Sequence, residues 1–148
     1  MPANLVARAS IVIDAPIQKV WTALLDPEAI REYMFGTRAT SDWREGSPIS
    51  WKGEWKGKAY EDKGVVLRAA PPRTLKYTHF SPLAGLPDKP ENYHTVEIEL
   101  SSEGATTTRV ALNQDNNATE ESRRHSEENW KSMLDGLKKY VEGRPGVG

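Results

Sequence analysis

The sequence predicts an α+β domain: one strand, two short helices, an antiparallel β-meander and a long closing helix. Three observations carry this reading. Proline-led helix starts occur at Asp14-Ala15-Pro16 and again at Asp26-Pro27-Glu28. Between Thr37 and Gln114, short runs of alternating apolar and polar residues are separated by turn residues. From Thr119 to Glu142 the spacing is helical, with a threonine N-cap at one end and Gly143 just past the other.

A chain of 148 residues fits one domain, residues 1–148, and can bury a stable core without disulfides or metal. Cysteine is absent, which removes disulfides, thiolate nucleophiles, cysteine zinc sites and iron-sulfur clusters, and suits a reducing cytoplasm. Met1 to Ala15 lacks a basic segment followed by an apolar run, and no stretch approaches the ~18 apolar residues that span a bilayer, so no membrane partner is expected. The 20 basic and 21 acidic residues are spread along the chain for a net charge of -1, so no global field steers it toward nucleic acid.

Leu5 to Asp14 reads as the first strand, its β-formers Ile11, Val12 and Ile13 expected to be buried on both faces. Pro16 opens a helix to about Leu25, with Ile17, Val20, Trp21, Leu24 and Leu25 on one face. Asp26 caps a second helix, Pro27 to about Met34. In the meander, Leu75, Tyr77 and His79 alternate with polar neighbours, as do His94, Val96, Ile98 and Leu100, and Thr107 to Gln114 is expected to pair with the latter strand. Ser81 to Asn92, rich in proline and glycine, is expected to be an irregular mouth or lid.

The last helix is apolar only in its second half. Trp130, Leu134, Leu137 and Val141 form a stripe with Met133 beside it, while the same face earlier carries Ser122, Ser126 and Asn129. Either those polar groups face a wet pocket or the first turns project into solvent. Gly143, which can adopt positive φ, is expected to follow the end of the helix.

No phosphate loop, nucleophile elbow or helical histidine pair is present. His79 and His94 stand on strands joined by one loop and would approach each other, with Tyr77 nearby, if those strands pair. A metal site needs a third ligand and a general base needs a positioned proton, so no metal, cofactor or catalytic residue is assigned. Trp51 to Lys58 interleaves tryptophans with lysines, a pattern shared by base-stacking surfaces and by amphipathic edge strands; near-neutral charge favours the second, and no nucleic-acid partner is expected. Trp21 and Trp130 are assigned to the core; Trp51 and Tyr77 are assigned to a pocket.

The segment Asp14-Ala15-Pro16-Ile17-Gln18-Lys19-Val20-Trp21-Thr22-Ala23-Leu24-Leu25-Asp26-Pro27-Glu28 resembles the opening of proteins similar to the activator of heat-shock-protein ATPase, a branch of the START-like (SRPBCC) superfamily. The ending Asn129-Trp130-Lys131-Ser132-Met133-Leu134-Asp135-Gly136-Leu137-Lys138-Lys139-Tyr140-Val141-Glu142 resembles that family's C-terminal helix. The stretch Trp51 to Gly57 departs from the general pattern. The resemblance implies a helix-grip fold, in which a strand, two short helices and a bent six-stranded run of sheet are gripped by the long helix over a hydrophobic cavity.

With such a cavity, the expected function is binding of a hydrophobic or aromatic small molecule. Tyr33, Trp51, Tyr77, His79, His94, Ser126, Asn129 and Met133 are the candidate ligand-binding residues, combining aromatic walls with donors and acceptors. Two alternatives stay open. One is an enzyme similar to polyketide cyclases or aromatases, with His79 as the leading acid or base; the other is a chaperone-activator role, implied by the family alone. A homodimer also stays open.

Overall fold

The computed structural model describes residues 5–34, 36–55, 57–81, 87–117 and 119–143. The chain runs β1 (Leu5–Ile13), α1 (Ile17–Leu25), α2 (Pro27–Tyr33), β2 (Arg38–Thr40), β3 (Pro48–Trp55), β4 (Lys58–Ala70), β5 (Thr74–His79), β6 (His94–Gly104), β7 (Thr107–Asn117) and α3 (Glu120–Glu142). The strands form one seven-stranded sheet in the order β1-β7-β6-β5-β4-β3-β2, every neighbour antiparallel. β2 to β7 are therefore a meander, and β1 returns beside the last strand. The sheet curves around α3 in the helix-grip arrangement. Among the described residues, no helix is long and apolar enough to cross a membrane.

Local chemistry sets the helix limits. Pro16, at φ -62°, stands as N-cap of α1, which buries Val20, Trp21, Ala23 and Leu24. The Asp26 carboxylate accepts the Glu28 N–H at 3.1 Å and starts α2. Thr119 Oγ1 accepts the Ser122 N–H at 3.0 Å and starts α3. At the other end Gly143 caps α3 as expected, at φ -84° without using positive φ, and its N–H reaches the Lys139 carbonyl at 2.8 Å. Part of the 81–92 segment, residues 82–86, lies outside the described residues, and Pro90–Asn92 forms a 3₁₀ turn.

The core lies between the concave sheet face and the helices. Ile13, Val20, Ile30, Leu75, Val96, Leu112 and Leu137 are each no more than 2% exposed. Burying an aliphatic side chain of this kind contributes about 1.5–3 kcal/mol. β1 corrects one expectation: Ala7, Ala9 and Ile13 face the core, but Val12 is 37% exposed, so the run is not buried on both faces. The reason is that β1 alternates, with Val12 on the convex face of the sheet, where it meets solvent.

β1 pairs with β7 on one side only, and α3 supplies the other side. The Arg8 N–H donates to Glu127 Oε2 at 3.1 Å, Lys138 Nζ donates to the Val12 carbonyl at 3.0 Å, and the Asp14 N–H donates to Glu142 Oε2 at 2.7 Å. Free strand edges invite pairing with other chains, and here the side chains of one helix face meet the edge groups. The Arg8 N–H, followed by Arg123, holds the Glu127 carboxyl below its ordinary value, and Lys138 followed by the Asp14 N–H does the same for Glu142.

The polar first half of α3 finds its partners here. Ser126 Oγ donates to Asn117 Oδ1 at 2.9 Å, and Asn117 Nδ2 donates to the carbonyls of Leu5 at 3.0 Å and Gln114 at 3.1 Å. Ser122 and Asn129 are exposed.

A candidate ligand cavity beneath the C-terminal helix

An apolar cavity lies under the second half of α3. Its floor is the concave sheet face, contributed by Trp51, Leu75, Tyr77, Ile98 and Leu112. Its walls are Leu24 of α1, Ile30 and Tyr33 of α2, and Leu134 and Leu137 of α3. Met34, Trp43, Trp130 and Met133 complete the lining; each is only half-buried, whereas Leu75, Ile98, Leu112 and Leu137 are fully enclosed. The space open to the centre of a water molecule is about 20 Å³. That admits roughly one water, while a benzene-sized guest needs a cavity on the order of 150 Å³.

Close backbone approaches build the walls. A Cβ on Gly136 would lie 3.2 Å from Tyr33 Cα, so glycine lets α3 pass tightly over α2 and sets Tyr33 against the cavity. A Cβ on Gly64 would lie 1.7 Å from the Thr78 carbonyl oxygen and 3.3 Å from the Trp51 ring, so only glycine fits between β5 and that indole. Trp43 has φ 56°, a left-handed conformation uncommon for a bulky residue, and its N–H donates to Ser41 Oγ at 3.0 Å.

Polar groups in the lining are few. Tyr33 OH donates to the Leu24 carbonyl at 2.7 Å. Burial, with a smaller contribution from Tyr77, pushes the Tyr33 phenol well above its ordinary value, and burial alone raises Tyr77. Both stay neutral hydroxyls. Trp130 Nε1 donates to Gln114 Oε1 at 2.9 Å, tying α3 to β7 across the cavity end.

Beyond Trp51 lies a polar cluster on the same concave face. Trp51 stands opposite Asp62 on β4, and His79 stands opposite His94 across β5 and β6. His79 Nε2 and Asp62 Oδ2 are 2.9 Å apart, and His94 Nδ1 lies 2.8 Å from the Asp115 carbonyl. Both partners accept, so these nitrogens carry protons. The two imidazoles stack at 6.3 Å and 27°. Trp51 packs against His79 at 5.0 Å and against Tyr77 at 5.4 Å. Among the described residues, no group of His, Cys, Asp or Glu is arranged to hold a metal ion.

The structure thus brings Tyr33, Trp51, Tyr77 and Met133 together around the cavity and sets His79 and His94 beside it, behind Trp51. Ser126 and Asn129 do not line it: Ser126 bonds to Asn117, and Asn129 is exposed. Trp130, assigned by pattern to the core, lines the cavity, as do Met34 and Trp43. Asp62 carried no sequence signal of its own; it shares the face of Trp51 only through the β3–β4 register. In that hairpin Trp51 turns inward while Lys52 is exposed, the amphipathic arrangement of a strand with one wet face.

The sequence model of the family described as Activator of Hsp90 ATPase homolog 1-like protein matches residues 14–142. The chain is 57% identical to ChR145 from Cytophaga hutchinsonii, whose solution structure superposes with a TM-score of 0.83 over 97% of each chain. It is 25% identical to CalU16 from Micromonospora echinospora, with a TM-score of 0.71 over 97% of this chain and 86% of that one. The Aha1 dimer from Colwellia psychrerythraea shares the fold at 20% identity, with a TM-score of 0.70 over 97% of this chain and 98% of that one. No curated protein matches the sequence.

Proposed function

The chain belongs to the family of Activator of Hsp90 ATPase homolog 1-like proteins, a START-like (SRPBCC) branch, and from that premise we propose that it binds a hydrophobic or aromatic small molecule beneath α3. The observation that supports this reading is the composition of the cavity: a closed apolar floor under Met34, Trp43, Trp130 and Met133, all half-buried. At about 20 Å³ the resting cavity is smaller than any such ligand, so binding proceeds by displacing those side chains.

The test is an NMR titration with naphthols, flavones and medium-chain fatty acids, paired with thermal melts. A ligand shifts the Trp130 indole and Met133 methyl resonances and raises the melting temperature with concentration, by about 2.7 kcal/mol of stability at a hundredfold excess over Kd. A panel that leaves both resonances and the melting temperature unchanged refutes the reading. A second copy of the chain as partner draws support from likeness to the Colwellia dimer, and a solution mass by light scattering decides it.

A further inference from the structure

The two oxygens of the Asp62 carboxylate differ. Oδ2 faces His79 Nε2 at 2.9 Å, whereas Oδ1 is buried and receives no hydrogen bond from the described residues. A buried carboxylate oxygen without a donor is destabilising, and native structures rarely keep one without a role. The surfaces around it are flat rings, with Trp51 edge-on to His79 and His79 stacked on His94. The Trp51 indole also floors the apolar cavity, so it is a wall common to the cavity and to the Asp62–His79 pair.

We infer that Asp62 Oδ1 anchors the hydroxyl of an aromatic ligand: the guest's ring enters the apolar cavity, Trp51 shifts, and the ligand's O–H donates to the oxygen that no described residue pairs. The inference rests on the ligand-binding reading and narrows the ligand to an aromatic ring carrying a phenolic or enolic hydroxyl. A neutral hydroxyl suits this oxygen better than an ammonium group, because stripping water from a cation beside an apolar cavity is far more costly. An O–H donating to a carboxylate is also among the stronger hydrogen bonds. His79 is a positioning residue here: by donating to Oδ2 it fixes the plane of the carboxylate.

The test compares 2-naphthol with 2-methoxynaphthalene, which share a ring system and differ in the donor, titrated into the wild-type protein and into Asp62→Leu. The wild type is expected to bind the naphthol about tenfold tighter. Asp62→Leu is expected to bind both equally, with the methoxy compound unaffected; it removes an unmet acceptor but also strips the His79 N–H of its partner, so its melting temperature is expected to stay close to that of the wild type. Equal affinities in the wild type overturn the anchor and leave the cavity reading standing; binding of neither compound overturns both. A melting temperature several degrees lower in Asp62→Leu, or its failure to fold, assigns Asp62 a structural role and overturns the inference as well.

Discussion

Trp130→Phe probes the contact that closes the cavity end. The indole N–H donates to Gln114 Oε1 at 2.9 Å, and Gln114 is a polar residue only 7% exposed between apolar neighbours. Phenylalanine retains most of the ring but leaves the amide oxygen without its donor, which costs about 1–3 kcal/mol. With a further contribution from the smaller ring, about 2 kcal/mol is expected, or roughly 6 °C in melting temperature for a domain of this size. Gln114→Leu alone costs less, about 1 kcal/mol, because the half-buried indole N–H keeps access to water. The double variant removes donor and acceptor together, so its loss falls short of the sum of the singles by at least about 1 kcal/mol. Urea denaturation of all four proteins supplies the cycle. Additivity within about 0.5 kcal/mol would refute the view that this bond holds α3 to β7.

Gly64→Ala places a Cβ 1.7 Å from the Thr78 carbonyl oxygen, a backbone atom that cannot swing aside; a loss of at least about 3 kcal/mol is expected, read by urea denaturation or as loss of soluble protein. Glu127 and Glu142 have carboxyls held below their unfolded value, so their stabilisation is fully present above about pH 4.3 and is lost as pH falls through the folded value. The denaturation midpoint therefore drops on acidification below about pH 4, and Glu142→Gln lowers the midpoint at pH 7 while flattening the acid limb. An unchanged acid limb in that variant would show that the β1 contacts contribute nothing. Met133→Ala enlarges the cavity at its half-buried edge, so 2-methoxynaphthalene is expected to bind several-fold tighter in an NMR titration, at about 1–2 kcal/mol of stability by chemical denaturation.

Elements whose limits depend on neighbouring residues were legible in the sequence. Asp26 and Thr119 reveal themselves as caps through donors two and three residues away, and α2 and α3 start where these residues predict. The approach of His79 to His94 was legible on the condition that their two strands, joined by one loop, pair, and they do. What stayed hidden depends on distant partners. The polar face of α3 reads as a pocket wall or a solvated surface: Ser126 bonds to Asn117 of β7, Ser122 and Asn129 are exposed, and the partners that Glu127, Lys138 and Glu142 find on β1, at Arg8, Val12 and Asp14, lie at the other end of the chain. Trp130 was indistinguishable from a core residue, since helical spacing gives the face of a side chain and not whether the space beneath it is filled. Asp62 was accessible in principle: the alternation Tyr60, Asp62, Gly64, Val66 puts it on the inward face of β4 beside Trp51 once the register of the hairpin is known.

These contacts also decide how the cavity opens. Lifting α3 would break the bonds from Glu127, Lys138 and Glu142 to the β1 edge and expose the fully buried Leu137. It would also part the Gly136 backbone from Tyr33, where the two helices already touch as closely as a glycine allows. Displacing Met34, Trp43, Trp130 and Met133 breaks the Trp130–Gln114 bond and the contacts of side chains that already meet solvent. Trp43 is moreover held at φ 56°, so its resting position carries backbone strain that a movement of its segment can release. On the proposed ligand-binding reading, entry would run between the segment after α2 and the second half of α3, while the latch on β1 keeps the helix in place. On the proposed route the ligand's ring would meet the cavity floor at Trp51, and a shift of that indole would bring its polar substituent to Asp62 and not to the polar first turns of α3.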